Sequence, residues 1–430
     1  MRIRSIFLLL WVATCLQSCG LFGIRLNLHN PKQPGRVPNF SNEQILLGEM
    51  TELRNGYDVH YYDLSIDFDP EKEKLTGAVY IFATATQDLN RLQLDLHPNF
   101  EITRLSLGDD GPELPYTRKE RAVFVDITQL KGSQFVLYVD YTGQPKKAKK
   151  APWKGGFVWE KDEDGNPWVG VACESDGASL WWPLKDHTAD EPDSIRLHYT
   201  VPKGLIAVGN GQLENSSEMG DRVTYDWYVS YPINTYNVTV YIGKYKKLTQ
   251  DYTGIDGEEM TLIHYVLGPN YETAKRHFQQ VPDILRNFEQ QFGSYPWYRD
   301  GFKLVESPYA GMEHQTAIAY GNGYENDLNA NTDYIILHET AHEWWGNSVT
   351  AEDLADVWLQ EGFATYAEAL YLEDMLGEDA YDSHLFLYRL TIKNKYPVVG
   401  VRDRRWFHFR KNQDVYTKGA WILHTFIKGL

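Results

Sequence analysis

The stretch HETAHEWWGN (338–347) decides how this 430-residue chain is interpreted. An apolar run, YIIL (334–337), leads into it, so the segment is expected to enter the core as a helix. Residues four apart lie on one face of a helix, which brings the imidazoles of His338 and His342 to one point. The order His-Glu-x-x-His predicts a zinc site. Glu339 is rotated about 100° from the first ligand and is expected to act on water instead.

The His-Glu-x-x-His string alone does not establish a metal site, because a pair of core histidines beside a salt-bridged glutamate gives the same string. A third metal ligand is therefore needed. Catalytic zinc held by two histidines usually takes a carboxylate and keeps a fourth position open. Downstream, VWLQEGFATYAEA (357–369) offers Glu361 near the start of another helix, with eighteen residues between it and His342. We therefore expect His338, His342 and Glu361 to bind one Zn²⁺.

This spacing is the pattern of the M1 (gluzincin) aminopeptidases, which the sequence resembles from about residue 57 to its end. HETAHEWWGN is similar to the family's HELAHQWFGN, and WLQEGFATYAE (358–368) is similar to its WLNEGFATYFE. The resemblance implies a zinc-dependent aminopeptidase that removes the N-terminal residue of a peptide. The reaction would proceed by attack of a zinc-bound water, with Glu339 as general base.

The resemblance also implies a set of substrate-binding residues. AGMEH (310–314) stands in place of the family's GxMEN motif, which assigns Glu313 to the substrate's α-amine, with Gly311 and Met312 beside it. His314 replaces the family's asparagine.

Two further residues follow from weaker matches to the same family. VACESDGASLWWPLKD (171–186) is similar to the stretch that carries a second amine anchor, and it points to Glu174. DVYTKGAWILHTF (414–426) resembles the stretch whose tyrosine donates to the tetrahedral oxyanion, which assigns that role to Tyr416.

Charge favours removal of N-terminal residues over internal cleavage. A free N-terminus is an ammonium, and buried charges left unpaired cost about 2–5 kcal/mol, so two carboxylates would reject a neutral internal amide. The alternatives are a non-catalytic peptide-binding or scaffold protein, or an endopeptidase or epoxide hydrolase on the same site. Peptides with a free N-terminus are the expected partners.

The periodicity changes once along the chain. From Tyr57 to about Tyr245, alternating and β-branched runs separated by turn residues predict strands. Helical spacing follows, as in NYETAKRHFQQVPDILRNFEQQFG (270–293). The predicted fold is therefore multidomain, with an N-terminal all-β domain (56–246) ahead of an α/β domain (247–430). The resemblance implies that the first is saddle-like and that the second is a thermolysin-like catalytic domain, and it leads us to expect that the second is incomplete relative to the family and that the family's helical C-terminal domain is absent from this chain.

The N-terminal segment has the features of an export signal. The apolar run at residues 6–16 follows two arginines, and LQSC (16–19) resembles a bacterial lipobox. We expect a lipoprotein signal at 1–19 with lipidation of Cys19, then a tether at 20–55. The protein would be exported and anchored to a bacterial membrane, on the periplasmic or cell-envelope side. An ordinary signal peptide and an uncleaved anchor are the alternatives.

Composition excludes several other classes. The net charge of -17 argues against binding of nucleic acid, and 43% apolar residues argue against a disordered chain. Cys173 is the one cysteine after the signal, so no internal disulfide is expected. The basic run KKAKK (146–150) is interpreted as a solvated loop, and DEDGN (162–166) as a hairpin turn. No obligate protein partner is evident.

Overall fold

The computed structural model describes residues 39–405 and 413–428. Cys19 and the signal lie outside the described residues, so their prediction remains untested. None of the described helices is both long and apolar enough to cross a bilayer.

The first half of the described chain is dominated by strands, as the sequence predicted. Two short helices, α1 (Asn42–Gly48) and α2 (Glu52–Asn55), precede the first strand. The largest sheet has seven strands, in the order β12 (Gln212–Met219), β13 (Arg222–Val229), β10 (Ser194–Pro202), β1 (Tyr57–Asp69), β2 (Lys74–Ala85), β7 (Gln134–Gly143) and β4 (Phe100–Leu107). Strand β1 pairs in parallel with β10 and antiparallel with β2.

Two smaller sheets complete the β-rich part. One has the order β3 (Leu89–Asp95), β6 (Ala122–Gln129) and β5 (Tyr116–Lys119). The other has the order β11 (Ile206–Val208), β14 (Tyr241–Gly243), β9 (Pro167–Ala172) and β8 (Gly156–Lys161). The turn at 162–166 joins β8 and β9 as a hairpin, as predicted, and the basic run at 146–150 lies in the loop before β8.

A fourth sheet leads into the helical part. Its order is β15 (Tyr245–Thr253), β16 (Glu259–Leu267), β17 (Leu304–Glu306), β19 (Ile318–Tyr320) and β18 (Gly311–Met312). The helices are α3 (Tyr271–His277), α4 (Val281–Phe292), α5 (Tyr334–Ala341), α6 (Trp358–Leu376), α7 (Glu378–Thr391) and α8 (Asp414–Lys428). The predicted domain boundary at 246/247 stays a prediction.

Aromatic side chains fill both parts of the core. In the β-rich part, Trp181 and Trp182 are fully buried, and Trp182 meets Tyr62 edge-on at 5.0 Å between ring centroids. In the helical part, Phe288 of α4 packs edge-on against Trp344 at 6.0 Å. Each buried aromatic side chain removes a large apolar area from water, so both parts have cores of their own.

Helices α6 and α8 cross where each has a glycine. A β-carbon added to Gly362 would lie 3.0 Å from the α-carbon of Gly419, and one added to Gly419 would lie 2.9 Å from the α-carbon of Gly362. No larger residue fits there without displacing backbone. The two helices therefore approach at the residue that follows Glu361 and within one turn of Tyr416.

Candidate metal and substrate site

Helix α5 is fixed at its N-terminus by Asp333. The Oδ1 atom of this residue accepts hydrogen bonds from the backbone amides of Ile335 and Ile336, at 2.9 and 3.2 Å. Such a cap satisfies amides that the first helical turn leaves unpaired. The helix then presents His338, and His342 at its C-cap retains helical φ and ψ, so both imidazoles lie on one face.

The two imidazoles and Glu361 bring three ligand atoms to one point. The Nε2 atoms of His338 and His342 are 3.2 Å apart, and Oε2 of Glu361 lies 3.6 Å from the first and 3.5 Å from the second. Zinc ligands at about 2.0–2.2 Å in a tetrahedron are about 3.3–3.6 Å from one another. Oε2 of Glu361 is buried without a hydrogen-bond partner. A cation at this point would satisfy that oxygen, so the three residues fit a zinc ion.

The outer ring nitrogens of both histidines are already engaged. Nδ1 of His338 is 2.8 Å from Oε1 of Glu368, and Nδ1 of His342 is 2.8 Å from the carbonyl oxygen of Trp345. These acceptors hold the Nδ1 protons and leave the Nε2 lone pairs facing the shared point. Sequence reasoning did not assign Glu368 a role, although it lies two helical turns after Glu361 on α6.

The electrostatics of Glu361 suit a metal ligand. Burial opposes its ionisation, but its contacts with His338 and His342 outweigh burial and lower its pKa to about 2. The carboxylate is therefore an anion at neutral pH, as a zinc ligand must be.

Glu339 lies beside the three predicted ligands and not among them. One carboxylate oxygen of Glu339, one of Glu313 and one nitrogen of His342 all lie within 4.8 Å of one another. Burial raises the pKa of Glu339 to about 7, against the opposing charges of His338 and His342. A carboxyl with such a pKa exchanges a proton readily near neutral pH.

Gly311 makes room for this carboxylate. A β-carbon at Gly311 would lie 2.5 Å from Oε1 of Glu339. Met312, the other residue of β18, is 1% exposed and packs in the core of the β-rich part, where it supports the strand that leads to Glu313. Its predicted contact with substrate stays a prediction.

The structure also brings both predicted amine anchors to the site. Glu313 directly follows β18, and its Oε1 accepts a hydrogen bond of 3.1 Å from the hydroxyl of Tyr236. Glu174 follows β9 by two residues and is 7% exposed, and its Oε1 has no hydrogen-bond partner. Burial raises the pKa of Glu174 well above its ordinary value, and the charges of Glu313, Glu361 and Glu339 raise it further. The site thus brings several buried carboxyl groups together beside the predicted ligands, and their mutual repulsion raises their affinity for protons.

His314, which replaces the family's asparagine, points toward the β-rich part. Its Nδ1 is 2.6 Å from the hydroxyl of Tyr241, which donates to the carbonyl oxygen of Ala317 at 2.9 Å. The oxygen of that hydroxyl therefore accepts a hydrogen bond from the Nδ1–H group of His314. Burial lowers the pKa of His314 to about 3, so this residue adds no positive charge to the site.

Tyr416 reaches the site from the first turn of α8. Its ring centroid lies 6.2 Å from that of His338. Burial raises the pKa of its hydroxyl well above the ordinary value, and the charge of Glu361 adds to this effect. The hydroxyl therefore keeps its proton and can serve as a donor.

The buried cluster of His338, His342 and Glu361, with a carboxyl of near-neutral pKa beside it, is a candidate metal site in a chain whose β-rich part precedes its helical part. Residues 277–428 match the model of the Peptidase family M1 domain. The match covers this part of the chain alone, which contains the predicted metal ligands and Tyr416, and this part is similar to that domain.

Two curated relatives are similar to about three quarters of this chain. The chain is 22% identical over 331 residues to Probable aminopeptidase 2 of Sulfurisphaera tokodaii, covering 74% of this chain and 39% of the relative. It is 24% identical over 323 residues to Leucyl aminopeptidase of Saccharolobus solfataricus, covering 72% and 38%. The chain thus spans about two-fifths of the length of these relatives.

The fold is shared with a solved bacterial structure. The M1 zinc metallopeptidase of Deinococcus radiodurans superimposes with a TM-score of 0.69 at 24% identity, covering 86% of this chain and 82% of that chain. A variant of that protein bound to a Tyr-Ser-Ala substrate gives a TM-score of 0.70.

Proposed function

We propose that this protein is a zinc-dependent aminopeptidase that hydrolyses the N-terminal peptide bond of unblocked peptides. The observation that carries the proposal is the meeting of His338, His342 and Glu361 at one point, beside three further buried carboxylates. We include in this proposal the saddle-like form of the β-domain and the thermolysin-like form of the catalytic domain.

His338, His342 and Glu361 would hold the zinc ion. When bound, zinc supplies a Lewis acid that polarises the scissile carbonyl and makes water acidic. Glu368 and the Trp345 carbonyl orient the two imidazoles through their Nδ1 atoms.

Glu339 performs the proton transfers. It takes a proton from the attacking water and passes it to the leaving amine, and a carboxyl with a pKa of about 7 can do both near neutral pH. The Tyr416 hydroxyl donates to the oxygen of the scissile carbonyl as negative charge develops on it. Loss of one such donor typically costs about 10²–10³ in kcat.

Glu313 and Glu174 bind the substrate's ammonium group. An internal peptide segment has a neutral amide at that position and would leave the carboxylates unpaired. This requirement for positive charge makes the enzyme cleave one residue from the chain end.

The decisive test is Glu339→Gln, which keeps a side chain of similar size. We expect stoichiometric zinc in the variant and a loss of about 10²–10⁴ in kcat on an aminoacyl-anilide. Zinc is measured by elemental analysis of the purified protein. Activity retained in this variant would remove the proposed role of Glu339.

Product analysis on one unblocked peptide and its N-acetylated form tests the specificity. Stepwise trimming of the unblocked form alone is expected, whereas internal cuts in both forms would favour an endopeptidase.

We also propose that the protein is exported and lipid-anchored through Cys19, with LQSC (16–19) as support. Cys19→Ala should move the protein from the detergent phase to the aqueous phase in a phase-separation assay. An unchanged distribution would contradict lipidation at this residue.

A further inference from the structure

A single turn of the β-rich part reaches the carboxylate that is proposed to bind the substrate's amine. This 3-10 turn, Thr235–Asn237, lies between β13 and β14. Tyr236 is 3% exposed, and its hydroxyl is 3.1 Å from Oε1 of Glu313, which is 77 residues away in sequence. Sequence reasoning assigned this tyrosine no role.

The neighbouring hydrogen bonds fix the direction in which Tyr236 donates. Nε2 of Gln360 lies 3.1 Å from the carbonyl oxygen of Gly346 and 3.3 Å from the Tyr236 hydroxyl. A carbonyl oxygen can only accept, which identifies the amide atom facing it as the nitrogen. An amide nitrogen can only donate, so the tyrosine oxygen accepts from Gln360. Its own proton is then directed to Glu313.

The same turn also holds the backbone of Glu313. Nδ2 of Asn237 donates to Oδ1 of Asn347 at 2.7 Å, and Nδ2 of Asn347 donates to the carbonyl oxygen of Glu313 at 2.8 Å. Two consecutive residues of the turn thus fix both the side chain and the main chain of one carboxylate. With Oε1 held by Tyr236, the orientation of the second oxygen is set as well.

We propose that Tyr236 is a positioning residue that determines the preference of this site for a free amine, by holding Glu313 in the orientation that meets the substrate's ammonium. This inference rests on the proposed aminopeptidase function. Tyr236 is not a catalytic residue, because it acts only through Glu313. Its substitution should weaken binding of the amine and leave zinc binding unchanged.

The test is Tyr236→Phe in the full-length, zinc-loaded protein, with L-leucinamide and N-acetyl-L-leucinamide as probes in calorimetry. Every protein in this test also carries Glu339→Gln, so that the amide bond of L-leucinamide is not hydrolysed during the titration, and the protein with that change alone is the wild-type reference. A hydrogen bond to a charged group is worth about tenfold or more in binding. We expect Kd for L-leucinamide to rise at least about tenfold and Kd for the acetylated probe to change by less than about twofold. Zinc content should stay at that of the wild type.

Tyr57→Phe is the matched control. Tyr57 is 1% exposed, and its hydroxyl donates to the carbonyl oxygen of Gln93 at 2.6 Å, so this variant also loses one buried hydrogen bond. It should leave the Kd of both probes unchanged. An equal weakening of both probes by Tyr236→Phe would show a merely structural role and overturn the inference.

A double-mutant cycle gives a second criterion. In a Glu313→Gln background, Tyr236→Phe should have no further effect on L-leucinamide, because the ammonium partner is already lost. Additive effects would overturn the inference. If Tyr236→Phe does not fold, Gln360→Leu replaces it, because this variant removes the donor to the same hydroxyl. It should weaken the binding of L-leucinamide and not that of the acetylated probe. An L-leucinamide Kd equal to that of the wild type would then overturn the inference.

The wild type separates failure of this inference from failure of the proposed function. If wild-type protein binds both probes equally, the aminopeptidase proposal falls and this inference falls with it. If wild type prefers L-leucinamide and Tyr236→Phe keeps the full preference, only the role of Tyr236 is overturned.

Discussion

The two sides of the site are built differently. The predicted zinc ligands stand on helices α5 and α6, and the Nδ1 atom of each histidine has a partner in the helical part. The amine side is assembled from a loop after β9, the end of β18 and the Thr235–Asn237 turn, and Oε1 of Glu174 is left without a hydrogen-bond partner. On the metal side the imidazole orientations are fixed and Oε2 of Glu361 is left unpaired where a cation would lie, whereas on the amine side a cluster of carboxyl groups stores repulsion that a cationic ligand relieves. The metal side should therefore respond to substitution by losing zinc, and the amine side by losing selectivity.

The largest effect is expected for Glu361→Gln on the metal side. The variant should lose stoichiometric zinc and, with it, about 10³-fold or more in activity, because the ion contributes several kcal/mol to the transition state. Elemental analysis and an aminoacyl-anilide assay measure the two losses. Glu373→Gln, on the same helix and in a partly exposed ion pair with Lys428, is the control and should keep both. Full zinc content in Glu361→Gln would contradict the ligand assignment.

Glu368→Gln tests the outer contacts of the metal side. Its carboxylate contacts Nδ1 of His338, Nε2 of His384 at 3.3 Å and the hydroxyl of Tyr388. Replacing such an outer partner typically weakens metal binding by about 10–100-fold. Competition with a zinc chelator measures this affinity, and kcat at saturating zinc should fall much less. Unchanged zinc affinity would mean that Glu368 does not orient His338.

Glu174→Gln, on the amine side, should make the ligand-free protein more stable. Removing one of several buried carboxylates relieves repulsion, so the free energy of unfolding of the ligand-free protein should rise by about 0.5–2 kcal/mol. Affinity for a free-amine ligand should fall in the same variant. Denaturant titration and calorimetry measure the two changes. A variant that is less stable than wild type would contradict the proposed repulsion among the carboxyl groups of the amine side.

The smallest effect is expected in the seven-stranded sheet, at a histidine that has no part in either side of the site. His198 on β10 bridges Asp63 on β1 at 3.3 Å and Asp226 on β13 at 2.6 Å. Its hydrogen bond with Asp63 raises its pKa, against the effect of burial, and Asp226 adds to the rise. A raised pKa means that the folded state binds the proton more tightly. The stabilisation is therefore complete below about pH 6.5 and is lost as pH rises through the folded-state value.

We expect wild type to exceed His198→Gln by about 0.5 kcal/mol in unfolding free energy at pH 6, and by less at pH 9. Denaturant titrations at the two pH values measure this difference. A difference that is equal at both pH values would contradict a charged His198 in the folded protein.

The meeting of the two histidines was predictable from sequence because its geometry is local: four-residue spacing on α5 brings the two imidazoles together. The choice of Glu361 as third ligand depended on its interval after His342, which is the pattern of the family that the sequence resembles, and it stays a prediction. Helix ends were equally clear, since α4 and α6 end before Gly293 and Gly377, both with positive φ.

The amine side was predictable only through the family resemblance. Strand β18 has two residues, too few for any periodicity. Tyr236 and Gln360 are 124 residues apart, and their meeting depends on how the β-rich and helical parts pack. The contact of Glu368 with His338 also depends on the packing of two helices, although its interval of two turns after Glu361 offered a signal.

The glycine crossing of α6 and α8 lets two residues without reactive side chains set the distance between Glu361 and Tyr416. Because Gly362 adjoins Glu361, a predicted metal ligand, and Gly419 lies three residues after Tyr416, a single methyl group added at the crossing would push the two helices apart. It would separate the carboxylate from the hydroxyl while leaving every functional group intact. The rate of the reaction could thus be tuned through the spacing of two helices, with no change in the chemistry of the site.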